Sequence, residues 1–176
     1  MGLTETGLNI ILQKEELSVG VKKIVVRHPF IAKKAQPGQF IIVVPLEDSE
    51  RIPLTLAGAD AGAGTISLIF QEVGTTTRKL GALNTGDRIS NLAGPLGRPV
   101  DIEKCGTVLL VTGGVGAAFV YWMADAFKAK GNIVRAIMGA RTADLLILER
   151  EMRSLCDEVI VTTDDGSKHD RKAARR

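Results

Sequence analysis

Histidine and cysteine are scarce in this chain of 176 residues, with two of each. His28 and His169, the only imidazoles, leave no nucleophile paired with a histidine base. Cys105 and Cys156 stand 51 positions apart, which is neither a zinc-pair spacing nor a disulfide framework. Reduced thiols and a cytoplasmic setting are the expectation. No apolar run approaches the roughly 18–20 residues that a membrane span needs. No basic segment precedes an apolar one in Met1–Ile10, so no secretion signal is read there.

Excess charge is also missing from the body of the chain. The formal net charge is +3, but Ser167–Arg176 holds five Lys or Arg and one Asp. Residues 1–166 carry 18 basic and 19 acidic groups, a net −1. The basic balance belongs to the tail, and the body offers no electrostatic case for nucleic acid or an acidic membrane surface. Charged residues at 24% and apolar residues at 45% describe a packed protein. The length suits one domain or two small ones.

The first half is punctuated like an antiparallel β protein. Leu8–Leu17, Val21–His28, Phe40–Leu46, Leu54–Ala57, Thr65–Val73 and Asp87–Asn91 are short runs rich in Ile, Val, Leu and Thr. Turn signals such as Pro37-Gly38 and Ala61-Gly62-Ala63-Gly64 separate them. Closing such a sheet protects its edges, so a Greek-key β-barrel is predicted over residues 1–99, interrupted by a helix at Thr76–Leu83.

After Gly94-Pro95-Leu96-Gly97-Arg98-Pro99 the pattern changes. Val108–Val111 is a buried-type strand, Ala117–Lys130 a helix closed by Gly131, and Ile133–Met138 a second strand. A helix with Leu145, Leu148, Met152 and Leu155 on one stripe and a strand at Glu158–Thr162 complete a βαβαβ unit. Residues 100–166 are thus predicted to form an incomplete α/β nucleotide-binding lobe with parallel strands in the order 3-2-1. That order leaves Val108–Val111 at an edge, which invites a partner, a swapped dimer or poor stability. Ser167–Arg176 has no large apolar side chain and reads as a disordered basic tail.

Four segments carry candidate chemistry. Gly113-Gly114-Val115-Gly116 lies between a strand and a helix, where glycines let backbone approach a pyrophosphate; an ordinary tight turn is the alternative. Arg141, in Gly139-Ala140-Arg141-Thr142, suits a 2′-phosphate and so NADP, or is a solvated side chain in a capping loop. Arg51-Ile52-Pro53-Leu54-Thr55 offers a cation and a hydroxyl to a phosphorylated planar ring. Gly74-Thr75-Thr76-Thr77 opens a helix as a second anion site; taken singly, it and Arg51 read as a Thr cap and a surface Arg.

In combination, R-x-P-L-T, G-T-T-T, G-P-L-G, G-G-V-G, G-A-R-T and T-D-D-G-S resemble the ferredoxin–NADP reductase superfamily from about Leu8 to Ser167. Within it, the chain is similar to the electron-transfer subunits of dihydroorotate dehydrogenase. The small subunits of sulfide dehydrogenase and of NADH-dependent ferredoxin:NADP oxidoreductase share that similarity. The resemblance implies FAD on the barrel. Arg51 would face its phosphates, Pro53-Leu54-Thr55 would line its ring with Thr55 near the reactive edge, and Gly74, Thr75, Thr76 and Thr77 would cradle its pyrophosphate. It implies NAD(P)H on the other lobe, with Gly113, Gly114, Val115 and Gly116 at the pyrophosphate, Arg141 at the adenosine end, and Asp164 and Asp165 at the same crevice.

The sequence departs from the family pattern in three places. Leu54 takes the place of an aromatic, and Arg51 precedes Thr55 by four with Ile52 at the usual arginine position. Phe119 stands where relatives often have proline. Relatives also continue into the rest of the nucleotide lobe and a cysteine-rich segment for a [2Fe–2S] cluster. Two cysteines cannot supply the four ligands, so no cluster is expected on this chain alone. Two functional readings follow. One is a flavoprotein subunit that takes hydride from NAD(P)H and hands electrons to a catalytic partner subunit or ferredoxin in a hetero-oligomer. The other is a truncated, non-enzymatic remnant that keeps the flavin barrel or serves only as an interaction module.

Overall fold

Strands come from alternation in the first half and from continuous apolar runs in the second, and they build two separate sheets. The computed structural model describes residues 7–170. They fall into two units, Met1–Asp101 and Ile102–Arg176.

The first unit contains β1 (Ile10–Ser18), β2 (Val21–Arg27), α1 (Pro29–Lys34), β3 (Phe40–Val44), β4 (Ile52–Asp60), β5 (Thr65–Gln71), α2 (Thr75–Ala82) and β6 (Asn91–Leu96). Its six-stranded antiparallel sheet has the order β1-β2-β5-β4-β3-β6. β4 serves both ends. Ile52–Thr55 pairs with β3, and Leu56–Asp60 pairs with β5 through a register shift after Leu56. Ile11, Ile24, Val26, Ile41, Leu56, Ile66, Leu68, Leu80 and Ile89 are fully buried and form its core. The closed ladder expected of a barrel is not formed. β1 meets the segment before β6 only at the isolated bridge Ile10↔Arg88 and neighbouring hydrogen bonds such as Ile11 N to Asp87 O at 2.9 Å.

Two local expectations change here. α1 was not legible as a helix: Pro29 opens it, and the His28 imidazole Nδ1 caps it by accepting from Ile31 N at 3.1 Å. The last strand is Asn91–Leu96 rather than Asp87–Asn91, so Gly94-Pro95 lies inside a strand. That strand is at the sheet edge, where proline costs no ladder bond.

The second unit contains β7 (Thr107–Gly113), α3 (Ala117–Ala129), β8 (Ile133–Ala140), α4 (Glu149–Leu155) and β9 (Glu158–Thr163). The three strands are parallel in the order β7-β8-β9, with β7 at an edge as expected. Leu110, Val134, Ala136, Met138 and Val161 are buried on the side taken by α3 and α4. The expected leucine stripe is cut short. Leu148 adopts φ 57, a left-handed conformation that starts α4 afresh, and Leu145 falls in a short 3-10 turn before it.

Part of the segment read as tail is fastened to this unit. Asp170 N donates to Val161 O at 3.0 Å, and its carboxylate pairs with Arg153 at 2.6 Å. Lys168 pairs with Glu149 at 2.6 Å. Residues 171–176 lie outside the described residues. No helix among the described residues is long and apolar enough to cross a membrane.

Candidate functional site

On the first unit, alternation along β4 decides what the R-x-P-L-T segment presents. Pro53 and Thr55 are exposed, Leu54 is half-buried and Leu56 is fully buried. Pro53 and Thr55 therefore share the outward face, opposite Ile42 and Phe40 of β3. Arg51 is exposed just before the strand and makes no ion pair among the described residues. Lys79 of α2 reaches the same β3–β4 loop, holding Asp48 at 2.8 Å and its carboxyl below the usual range. The Arg51 loop and the G-T-T-T helix are thus drawn together.

At the start of α2 the three threonines play different parts. Thr77 Oγ1 accepts from Gly74 N and donates to Gly74 O, both at 3.0 Å, so its hydroxyl is occupied as a cap. Thr76 is buried at 7% exposure. Thr75 and Gly74 face solvent, and the first turn carries no acidic residue. The anion site expected of three hydroxyls is therefore one hydroxyl and the open backbone N–H groups of a helix start. Arg78, exposed in the same helix, is a cation that motif reasoning passed over.

On the second unit, parallel pairing brings three predicted segments side by side at the carboxyl edge of the sheet. Gly113 lies opposite Gly139, and Ala140 opposite Thr163. Gly113–Gly116 passes through a 3-10 turn into α3, whose first turn has no acidic residue. Gly114 has φ 52, and a Cβ there would find no atom within 4 Å. The backbone is bare where Gly114 faces outward. Gly116 is different, because its Cβ would stand 3.0 Å from Thr112 Oγ1. That hydroxyl oxygen is buried and makes no hydrogen bond. Val115 is exposed beside them.

The Arg141 and Asp164-Asp165 segments are laced together. Asp164 N donates to Ala140 O at 3.0 Å, Asp165 N to Arg141 O at 3.2 Å, and Ala143 N to Ser167 Oγ at 2.9 Å. Ser167 also bonds Asp165 through its hydroxyl at 2.6 Å and its N–H at 3.0 Å, which holds the Asp165 carboxyl low. Arg141 and Asp164 are exposed. Ser167, which sequence reasoning assigned to the tail, is the fastener of this edge.

A Thermotoga maritima protein described as a dihydroorotate dehydrogenase B (NAD(+)), electron transfer subunit homolog is 42% identical over 162 residues, covering 92% of this chain and 57% of that protein. The Bacillus cereus dihydroorotate dehydrogenase B (NAD(+)), electron transfer subunit is 27% identical over 161 residues, 88% of this chain and 62% of its own. Among solved structures, that of an NADH-dependent reduced ferredoxin-NADP oxidoreductase, described in terms of flavin-based electron bifurcation, aligns with a TM-score of 0.85. It is 41% identical and covers 93% of this chain and 59% of its own. The fold extends to a ferredoxin-NADP+ reductase from Plasmodium falciparum, with a TM-score of 0.71 at 13% identity. The chain belongs to the ferredoxin–NADP reductase superfamily.

No protein-family model matches the chain. It spans a little over half the length of the curated relatives it matches. Membership in this reductase superfamily raises the question of whether the residues present suit a flavin and a nicotinamide nucleotide. They do, on the geometry of each unit. β4 presents a proline and a hydroxyl on one outward face, and α2, whose Lys79 holds Asp48 of the β3–β4 loop, begins with unguarded N–H groups. The Gly114 backbone is open where a pyrophosphate would lie, at the start of a 13-residue helix. No three His, Cys, Asp or Glu side chains gather as a metal-ligand set among the described residues.

Proposed function

We propose that this chain is the flavin- and nucleotide-binding part of an electron-transfer subunit that oxidises NADH and passes electrons to a partner subunit or an iron–sulfur protein. The observation that carries the reading is the match at 41% identity and TM-score 0.85 to the NADH-dependent oxidoreductase structure. FAD would be held on the first unit by Arg51, by Pro53, Leu54 and Thr55, and by Gly74 with Thr75, Thr76 and Thr77. Of these, Thr76 and Thr77 would contribute backbone N–H groups rather than hydroxyls. The nucleotide would be held by Gly113, Gly114, Val115 and Gly116, with Arg141, Asp164 and Asp165 at its adenosine end.

When bound, the two cofactors supply hydride chemistry of their own, from nicotinamide to flavin. The chain's part is orientation. Thr55 places a donor hydroxyl on the outward face of β4, and the α2 and α3 N-termini neutralise phosphate charge. No general acid or base is required of it. NADH is favoured over NADPH because Asp144, Asp164 and Asp165 outnumber the one cation, Arg141, on the two loops 140–144 and 164–167 that backbone bonds hold together. A 2′-phosphate would meet that surplus of negative charge. The relatives' descriptions name NAD(+) and NADH, and that of the solved structure names NADP as well.

Calorimetric titration with FAD tests the reading. A saturable 1:1 isotherm, weakened at least about tenfold in Arg51→Ala, is expected. A folded protein that gives no heat with FAD would contradict it.

A further inference from the structure

Among the described residues of the second unit, one buried side-chain oxygen lacks a hydrogen bond, Oγ1 of Thr112. Alternation along β7 explains where it lies. Thr112 falls on the same face as Val108 and Leu110, the face that α3 covers, and stands opposite Met138 of β8. Leu110 and Met138 are buried and offer the hydroxyl no oxygen or nitrogen. The residue as a whole is half-buried, but its hydroxyl oxygen is enclosed. Protein interiors seldom keep such a group, because it has given up water and gained no partner.

Gly116 supplies a second, independent observation. Its φ of −60 and ψ of −21 are helical values that any residue adopts, so its backbone does not call for glycine. Space does. A Cβ on Gly116 would stand 3.0 Å from Thr112 Oγ1 and 3.9 Å from Phe119 Cε1. Gly114 is the converse case, with a left-handed φ and open surroundings. The bare Cα of Gly116 thus leaves room beside the Thr112 hydroxyl, with the edge of the Phe119 ring next to it. The 3-10 turn Gly114–Gly116 that borders this room is tied by the Ala117 N–H, which donates to Gly114 O and Val115 O.

We propose that Thr112 is a further phosphate-binding residue of the nucleotide site. When the nucleotide binds, the Gly114–Gly116 turn and the Phe119 ring shift slightly, and the Thr112 hydroxyl donates to a pyrophosphate oxygen over Gly116. This rests on the nucleotide reading above and adds to it a residue on the strand rather than on the glycine turn. Chemistry selects the acceptor. A hydroxyl held among apolar side chains gains most from a charged oxygen. Phosphate is favoured at a helix start, and the first turn of α3 has no carboxylate to compete with it. Packing does not need the hydroxyl, since a valine of the same shape would suit the face shared with Val108 and Leu110.

The test compares T112V and T112S with the wild-type chain, using ADP-ribose as a redox-inert probe that carries the pyrophosphate. In calorimetric titration T112V should bind ADP-ribose about tenfold or more weakly, and T112S within about twofold of wild type. The urea midpoint reported by Trp122 on α3 should not fall in T112V, because valine keeps the shape and removes an unmet polar group. Equal binding by wild type and T112V overturns the role of Thr112 and leaves the nucleotide reading standing. T112S as weak as T112V also overturns it, by assigning the effect to something other than the hydroxyl. A T112V midpoint that falls along with affinity makes the residue a structural one and overturns the proposal too. A folded wild-type chain that binds no ADP-ribose overturns both the proposal and the nucleotide reading.

Discussion

Replacing Asn132 by alanine should destabilise the second unit more than any other single truncation of a polar side chain there. Asn132 is 3% exposed and serves four backbone groups. Its Oδ1 accepts from Cys105 N at 2.8 Å and Gly106 N at 3.0 Å, while its Nδ2 donates to Glu103 O at 2.8 Å and Phe127 O at 3.0 Å. One side chain thus ties the entry to β7 to the end of α3, and β7 in turn carries the Gly113–Gly116 turn at its far end. Each bond is worth about 1 kcal/mol net. Glu103, Cys105 and Gly106 are exposed and can be rehydrated, and Phe127 O keeps the backbone donors Lys130 N at 3.2 Å and Asn132 N at 3.3 Å. With no acceptor stranded, the expected loss is that of the four bonds offset by rehydration, about 1–2 kcal/mol. The only tryptophan, Trp122, sits on α3 and reports this unit in urea unfolding. The midpoint should fall with an unchanged slope. N132D should be no milder, since it sets a carboxylate against two carbonyl oxygens. A loss below about 0.5 kcal/mol in N132A would refute the reasoning.

Three further outcomes are expected. Burial holds the His28 imidazole below its ordinary value, so as pH falls the unfolded chain takes the proton first. Stability of the first unit should be full above about pH 6.5 and decline below it, and H28N should flatten that profile in thermal melts; parallel profiles would sink the assignment. G94A puts a Cβ 2.5 Å from Ile41 Cγ2 and 3.3 Å from Phe40 O, which should cost the first unit about 1–3 kcal/mol in chemical unfolding. G114A meets no neighbour and carries only the strain of φ 52, about 1 kcal/mol. Its nucleotide affinity should fall by more than its stability, and the reverse order would remove Gly114 from the site.

What could be read from residues alone was the alternation and the punctuation. β2, β3 and β5 start where their Ile/Val-rich runs start, because one face of each is core. The parallel unit was legible from the uncharged run of β7 and from Gly131, whose φ of 78 ends α3. α1 was not, because its cap is an imidazole rather than a Ser, Thr, Asp or Asn side chain, and six residues show no period. The open ladder between β1 and β6 depends on long-range register, which no local pattern encodes. In the candidate site, glycines and threonines marked the right turns. Which hydroxyls remain free did not follow, because it depends on where α2 begins: with Gly74 as its cap, Thr77 is the third helical residue and its hydroxyl turns back to Gly74.

FAD on the first unit and NADH on the second are the proposal on which the flavoprotein reading stands. It is tested most directly by the visible spectrum of the purified chain, loaded with FAD, freed of excess and mixed with NADH without oxygen. A retained flavin band is expected, bleached by NADH faster than by NADPH, and more slowly in Thr55→Val. A folded chain that retains no flavin would contradict it, and so would a retained band that neither nucleotide bleaches.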